Sequence, residues 1–352
     1  MSELTAQSAA PPTKLIIDTD PGIDDALAIC LALGDPKADV LALTTVFGNS
    51  PDVRIMSDNA QKVLNIAKRS TVPIREGAAT PLVTSSSRAS YISECMKAQS
   101  VMIHGSDGLG DVQPSLPGKW TPCDESAAEC IVRLARAHPG EVTLVMLGPL
   151  TNLALALMIC SNLTELLKQV VVMGGALFSP RGNEINTPDS NRGNVTSSAE
   201  ANIYKDPFSA RKVIKAGFEP DRLVFVTLDL TTQTNYECSQ IRDMLAAAGP
   251  LGRFLGSAHE HYVDVYVNRF GRGKVPFHDS CAVFYALSGG SFTTSDVSMD
   301  IETRGELCFG MTVVDGRAPA LRGPANVRVC TGIVVDDLYG SIQRSVNALN
   351  NA

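Results

Sequence analysis

Four aspartates stand within eight residues near the start of the chain, in Asp18-Thr19-Asp20-Pro21-Gly22-Ile23-Asp24-Asp25. Carboxylates this close repel one another, which raises their pKa values or calls for a counter-cation. A hard divalent ion with oxygen ligands is the simplest such cation. The spacing is not that of an EF-hand, which needs Gly at its sixth place and Glu at its twelfth. Counted from Asp18, those two places hold Ile23 and Ile29. Helix capping accounts for one acidic residue and leaves the repulsion among the others uncompensated. The chemistry expected of the cluster is metal binding.

The aspartates lie between two apolar runs, Leu15-Ile16-Ile17 and Ala26-Leu27-Ala28-Ile29. That order predicts a strand, a sharp turn at Pro21-Gly22 and a helix over Asp24 to Leu33. Such a turn brings Asp20, Asp24 and Asp25 to the carboxyl edge of a sheet, where α/β folds bind their ligands. Further strands are expected over Val40 to Phe47, Val72 to Ile74, Val142 to Leu147, Val170 to Met173 and Leu223 to Leu228. Helices are expected over Asp52 to Arg69, Ser126 to His138, Leu153 to Ile159 and Ala199 to Ala216. Alternation of this kind implies βαβ units and a doubly wound, mostly parallel sheet flanked by helices. Near the C-terminus, Met299 to Val314 alternates and carries Gly305 and Gly310, which suggests an antiparallel hairpin added to the sheet. Val327 to Val335 reads as a last strand and Asp337 to Leu349 as a closing helix. No linker divides the chain, so residues 13–352 are expected to form one domain behind a flexible tail, 1–12. Ala176 to Arg192 has no periodicity and reads as a long loop, a kind of segment that is usually functional or mobile.

Composition narrows the partners. The chain has 352 residues, 44% hydrophobic and 19% charged, with a net charge of −7. Its pI is near 5.3 and it has no basic stripe, which argues against nucleic acid as a partner. Nine cysteines include no C-x-x-C pair, a pattern of structural thiols in a reducing compartment rather than of a disulfide framework or a zinc site. The N-terminal segment lacks a secretory signal, and no stretch approaches the roughly 18 apolar residues of a membrane span. A soluble, cytoplasmic protein is the expectation.

Other polar residues fall at matching strand ends. Asn49 follows the second strand, and Leu147-Gly148 follows another. Asn194, Glu200 and Asn202 flank or enter a helix after Met173-Gly174-Gly175, and His278-Asp279 precedes an apolar run. Each alone is weak, since an Asn at a strand end is usually a turn residue. Together they make a polar rim on one edge of the sheet.

Set in order, these segments resemble the nucleoside hydrolases, the inosine/uridine-preferring nucleoside N-ribohydrolase family. The resemblance rests on Asp18 to Ala26, Thr44-Thr45-Val46-Phe47-Gly48-Asn49, His104-Gly105, Gly148-Pro149-Leu150-Thr151-Asn152 and Met173-Gly174-Gly175. It continues through Gly193-Asn194-Val195, Ala199-Glu200-Ala201-Asn202-Ile203, His278-Asp279 and the hairpin ending Gly310 to Asp315. It implies that Asp20, Asp25 and Asp279, with the carbonyl of Leu147, bind a Ca²⁺ ion that also holds the ribose 2′- and 3′-hydroxyls and a water. It implies that Asp20 accepts a proton from that water and that Asp24 and Asn202 hold ribose hydroxyls. Asn49 would line the ribose and water site, Asn194 and Glu200 would bind the 5′-hydroxyl, and Met173 would pack beneath the sugar. His278 would assist the leaving base, and His104 would lie near it. Family members are commonly dimers or tetramers.

Tyr262 and Tyr266 either stack on a nucleobase or belong to the core or an interface. The interval from Met173-Gly174-Gly175 to Gly193-Asn194 is longer than in usual members, which touches specificity more than chemistry. Two other readings stand beside this one. A haloacid-dehalogenase-type phosphatase also places Asp-x-Asp after its first strand, but Pro21-Gly22 and the adjacent Asp24-Asp25 fit that pattern poorly. A non-catalytic relative would bind ribosides without cleaving them.

Overall fold

The structure, a computed structural model, describes residues 11–83, 98–112, 119–177, 193–246, 249–271 and 274–351. The expected tail lies outside these residues apart from Pro11 and Pro12, and so does all but the start of the expected loop Ala176 to Arg192.

The described residues form ten strands: β1 Thr13–Thr19, β2 Ala38–Thr45, β3 Ile74–Glu76, β4 Val142–Met146, β5 Gln169–Met173, β6 Leu223–Val226, β7 Phe292–Val297, β8 Met299–Ile301, β9 Thr312–Val314 and β10 Val327–Ile333. Eight make one sheet in the order β3-β2-β1-β4-β5-β6-β10-β7, parallel except for the antiparallel pair β10/β7. The chain winds outward from β1 through β2 to β3 and then returns to the other side of β1 as β4. The reversal between β1 and β4 opens a crevice at the carboxyl ends of those strands. Asp20 leaves β1 and Leu147 leaves β4 at that place.

Both faces of the inner strands are covered, which is why β4, β5 and β6 read as largely continuous apolar runs rather than as alternation. Leu15 and Ile17 point into one core with the helices Ile23–Gly34, Gly249–Asp264, His278–Ser288 and Val335–Asn351. Ile16 points into the other, with Ala127–Ala137, Thr151–Ile159 and Pro207–Ile214. All three side chains are fully buried, each burial stabilising the fold by on the order of 1.5–3 kcal/mol. Among the described helices none is long and apolar enough to cross a membrane. Cys30, Cys130, Cys160, Cys281 and Cys330 are buried free thiols, whereas Cys123 and Cys308 are free and exposed.

Two expectations are corrected. The hairpin of β8 and β9 is antiparallel but forms a two-stranded sheet of its own instead of joining the large one. Met299 and Ile301 are drawn into the second core, and the antiparallel edge of the main sheet is β7, whose Phe-Thr-Thr-Ser-Asp-Val is largely exposed and offers no apolar signal. The predicted helix Ala199 to Ala216 is two helices, Ala201–Lys205 and Pro207–Ile214. Proline has no N–H to continue a helix but suits its first turn. Asp206 caps the second helix by accepting the Ser209 N–H at 3.0 Å.

The hairpin braces the site. Phe309 packs edge-on against Tyr204 in the short helix, with ring centroids 5.9 Å apart. The Thr312 hydroxyl accepts the Ala176 N–H at 3.0 Å and donates to the Ala176 carbonyl, pinning the segment that leaves β5.

Candidate active site

The turn out of β1 is built around Asp25. Its carboxylate accepts the Thr19 hydroxyl at 2.5 Å, the Gly22 N–H at 3.0 Å and the Asn49 side-chain amide at 3.2 Å. Its place in the first helical turn also sets negative charge against the helix N-terminus, where it is favoured. Asp18 does not line the crevice; Thr44 and Asn152 donate to its Oδ2 at 2.6 and 2.8 Å. It braces the strand ends beneath the site.

All the residues predicted for the site line one cavity of about 340 Å³. Asp20, Asp24, Asp25, Asp279 and Asn49 line it together with Leu147, Met173, Asn202, Asn194 and Glu200. His104, Tyr262, Tyr266 and His278 line it too.

Three carboxylates, those of Asp24, Asp25 and Asp279, each place an oxygen within 4.8 Å of the others. The sequence reading grouped Asp20 with Asp25 and Asp279. The structure adds Asp24 to the cluster and turns Asp20 Oδ2 to the ammonium of Lys205, 3.0 Å away. Burial pushes Asp24 up to about 7, with Asp25 adding to the rise. Burial, then the neighbouring aspartates, holds Asp279 well above the carboxylate range. Asp20 is likewise raised by burial, and Lys205 offsets part of the effect. Asp24 Oδ1 is buried with no hydrogen-bond partner among the described residues. All-oxygen donors, excess negative charge and an unpartnered carboxylate oxygen fit a hard divalent cation.

A proton balance follows from the same burial. Asp18 is pushed up to about 7 by burial, as Asp24 is. The folded chain therefore binds more protons than the unfolded one between pH about 4 and 7, and stability falls as pH rises through 7. The buried His104 and His259 act oppositely. Burial lowers them to about 3 and about 4, so stability from them is lost as pH falls below about 6.5. Between pH 6.5 and 7.5 the carboxyl effect is left alone, below the range in which unfolded thiols ionise. The melting temperature of the chelator-treated protein is expected to fall across that window, and added divalent cation is expected to flatten the fall in a calorimetric scan.

Asp20 is confined by two glycines. A Cβ on Gly48 would sit 1.8 Å from Asp20 Oδ2, and one on Gly148 would sit 2.6 Å from Oδ1. Gly48→Ala is therefore expected to displace the carboxylate and reduce turnover by about 10²-fold, the cost of a misplacement near 1 Å. Retention of the native circular dichroism spectrum with lost activity would locate the damage in the site.

On the other side, Asn202 donates to the carbonyls of Leu147 at 2.6 Å and Met173 at 3.1 Å. A carbonyl has two lone pairs, so Leu147 keeps one for a further partner. Glu200 caps the short helix, accepting the N–H groups of Asn202, Ile203 and Gly175. Burial raises its pKa, and those three N–H groups oppose the rise. Asn194 Oδ1 accepts the Ala201 N–H at 2.9 Å. Both residues thus fix the start of the helix that presents Asn202.

A row of rings also lines the cavity. Tyr262 lies in the last turn of its helix, and Tyr266 lies in the π-helical turn Val265–Arg269 that follows it; such turns are frequent at functional sites. The hydroxyl of Tyr262 lies 3.4 Å from Asp24 and 3.3 Å from the hydroxyl of Tyr266, which lies 3.3 Å from His278 Nε2. His278 Nδ1 meets the Thr231 hydroxyl at 2.8 Å. His104 Nδ1 accepts the Ile23 N–H at 3.3 Å, which leaves the hydrogen of the neutral ring on Nε2, and the ring stacks on Tyr262 at 5.8 Å. Both tyrosines are buried and face the cavity, so they belong to core and pocket alike. Sequence reasoning missed Lys205, Phe270 and Ile103, which also line the cavity. The signal for Lys205 was its place one helical turn beyond Asn202.

A carboxylate-lined cavity at the switch point of a doubly wound, mostly parallel sheet is the arrangement of α/β proteins that bind small molecules. Residues 15–340 match the model of the inosine-uridine preferring nucleoside hydrolases, and the chain belongs to that family. It is 35% identical over 302 residues to uridine nucleosidase 1 of Arabidopsis thaliana, covering 86% of this chain and 82% of that one. It is 35% identical over 309 residues to the inosine-uridine preferring nucleoside hydrolase of Crithidia fasciculata, covering 88% and 89%. Among solved structures, a purine-preferring ribonucleoside hydrolase from Gardnerella vaginalis superposes with a TM-score of 0.81 at 28% identity, covering 96% of this chain and 99% of that one. The protein is a hydrolase acting on the N-glycosyl bonds of nucleosides.

Proposed function

We propose that the chain hydrolyses ribonucleosides with the aid of Ca²⁺, releasing ribose and a free base. The carrying observation is the cluster of Asp24, Asp25 and Asp279 beside Asp20, the Leu147 carbonyl and Asn202 in one cavity. Asp20, Asp25, Asp279 and the Leu147 carbonyl would hold the ion, with Asp24 near enough to share it. When bound, the ion supplies a positive charge that eases deprotonation of water and orients the ribose hydroxyls.

The remaining chemistry belongs to the side chains. Asp20 accepts the proton of the attacking water as its oxygen bonds to C1′. The bond from C1′ to the base nitrogen breaks, and its electron pair leaves with the base. Positive charge develops on the sugar meanwhile, and the buried carboxylates stabilise it where it forms. Asp24 and Asn202 hold ribose hydroxyls, and Asn49 lines the ribose and water site. Met173 packs under the ring, and Asn194 and Glu200 bind the 5′ end. His278 provides a hydrogen bond or proton to the departing base, while His104, Tyr262 and Tyr266 wall the base.

The names of the relatives range over uridine, inosine and purines, so the test spans them. Inosine, guanosine, adenosine, uridine, cytidine and xanthosine are each incubated with the Ca²⁺-loaded protein, and products are separated chromatographically. Equimolar ribose and base from at least one is expected. Absence of free ribose and base with every one of them would overturn the proposal.

A further inference from the structure

The cavity holds five carboxylate side chains, those of Asp20, Asp24, Asp25, Glu200 and Asp279, and Lys205 is the one Lys or Arg among its described lining residues. Lys205 ends the short helix Ala201–Lys205, which Asp206 alone separates from the next, Pro207–Ile214. Its side chain is only 5% exposed. An ammonium this deep is costly unless paired, so its partners matter. Its Nζ donates to Asp20 Oδ2 at 3.0 Å and to Asn49 Oδ1 at 3.2 Å. The other end of Asn49 donates to the Asp20 carbonyl at 3.0 Å and to Asp25 Oδ2 at 3.2 Å. The two ends of an amide are nearly equal in shape, so its partners decide which way it points. An ammonium can only donate, and Asn49 is thereby obliged to show it the oxygen and to turn its NH₂ toward Asp25.

We propose that Lys205 is a positioning residue of this site, which sets the Asp20 carboxylate and the direction of the Asn49 amide and whose positive charge weakens the binding of a divalent cation. The inference rests on the cation-dependent reading above. Two positive charges within one buried cavity repel, and the repulsion is large where water is scarce. The ammonium therefore trades cation affinity for a fixed proton acceptor.

The test is calorimetric titration of chelator-stripped protein with CaCl₂, together with steady-state kinetics at saturating Ca²⁺, on wild type, Lys205→Met and Lys205→Arg. Lys205→Met is expected to bind Ca²⁺ about 10-fold more tightly or better. Its kcat is expected to fall about 10-fold, with KM for the nucleoside within about 3-fold. Lys205→Arg, which keeps the charge, is expected to retain the wild-type Ca²⁺ affinity within about 3-fold. Lys205→Gln serves the same comparison if the Met variant does not fold. Natively folded Met or Gln protein with unchanged or weaker Ca²⁺ affinity would overturn the charge effect, and unchanged kcat would overturn the positioning. Equal shifts in the Met and Arg variants would assign the effect to packing and overturn the proposal. A wild-type chain that takes up no Ca²⁺ would remove the underlying reading instead.

Discussion

Asp25→Ala is expected to slow ribose release by at least about 10²–10³-fold, the scale found when one preorganised polar group is removed from an active site. Asp25 sits at the centre of the cluster, bonded by Thr19, Gly22 and Asn49 and grouped with Asp24 and Asp279. Truncation leaves those three donors without their acceptor, so some stability is lost as well, about 1–3 kcal/mol for an unsatisfied buried group. Asp25→Asn separates the two effects, since it preserves shape and one acceptor oxygen while removing the charge. It is expected to keep most of the stability and lose nearly as much activity. Near-wild-type turnover by folded Asp25→Asn would take Asp25 out of the chemistry.

His278→Ala is expected to slow inosine hydrolysis by about 10²–10⁴-fold, the usual range for a general acid. A nitrophenyl riboside, whose leaving group needs no proton, is expected to lose less than about 10-fold. The expectation comes from His278 being held at both ring nitrogens, by Thr231 and Tyr266, on the cavity wall facing the carboxylates. Thr231→Val offers a milder version, because the ring is kept and only its orientation is loosened. Equal losses on the two substrates would show that His278 shapes the pocket without serving the leaving group.

What could be read from the chain was whatever its local order determines. Asp18 to Asp25 follow an apolar run and precede a helix, so strand, turn and helix N-terminus followed from neighbours alone. The polar rim was legible for the same reason: Asn49 and Leu147 follow closely on the ends of strands. Pairing between distant segments was not legible. The alternation in Met299 to Val314 identified a hairpin, but nothing local said that Met299 and Ile301 would join a core beside the helix Pro207–Ile214 rather than the sheet edge. The polar strand β7 carried no apolar pattern at all. Pro207 did mark the break in the helix Ala199 to Ala216, and that break leaves Lys205 at a helix end. Lysine is almost never fully buried, so its place one helical turn beyond Asn202 read as a solvent-facing position rather than one among carboxylates. The company each aspartate keeps was equally out of reach. Asp24 joins Asp25 and Asp279, and Asp20 turns to Lys205, through side-chain directions that depend on residues more than a hundred positions away.

The most direct test of the central claim is ribose release from inosine and uridine, followed by a reducing-sugar assay before chelation, after chelation and after Ca²⁺ is restored. Release is expected with at least one of the two, to disappear in the chelated protein and to return with added Ca²⁺. Full release by the stripped protein, or none from either nucleoside in the presence of Ca²⁺, would contradict it.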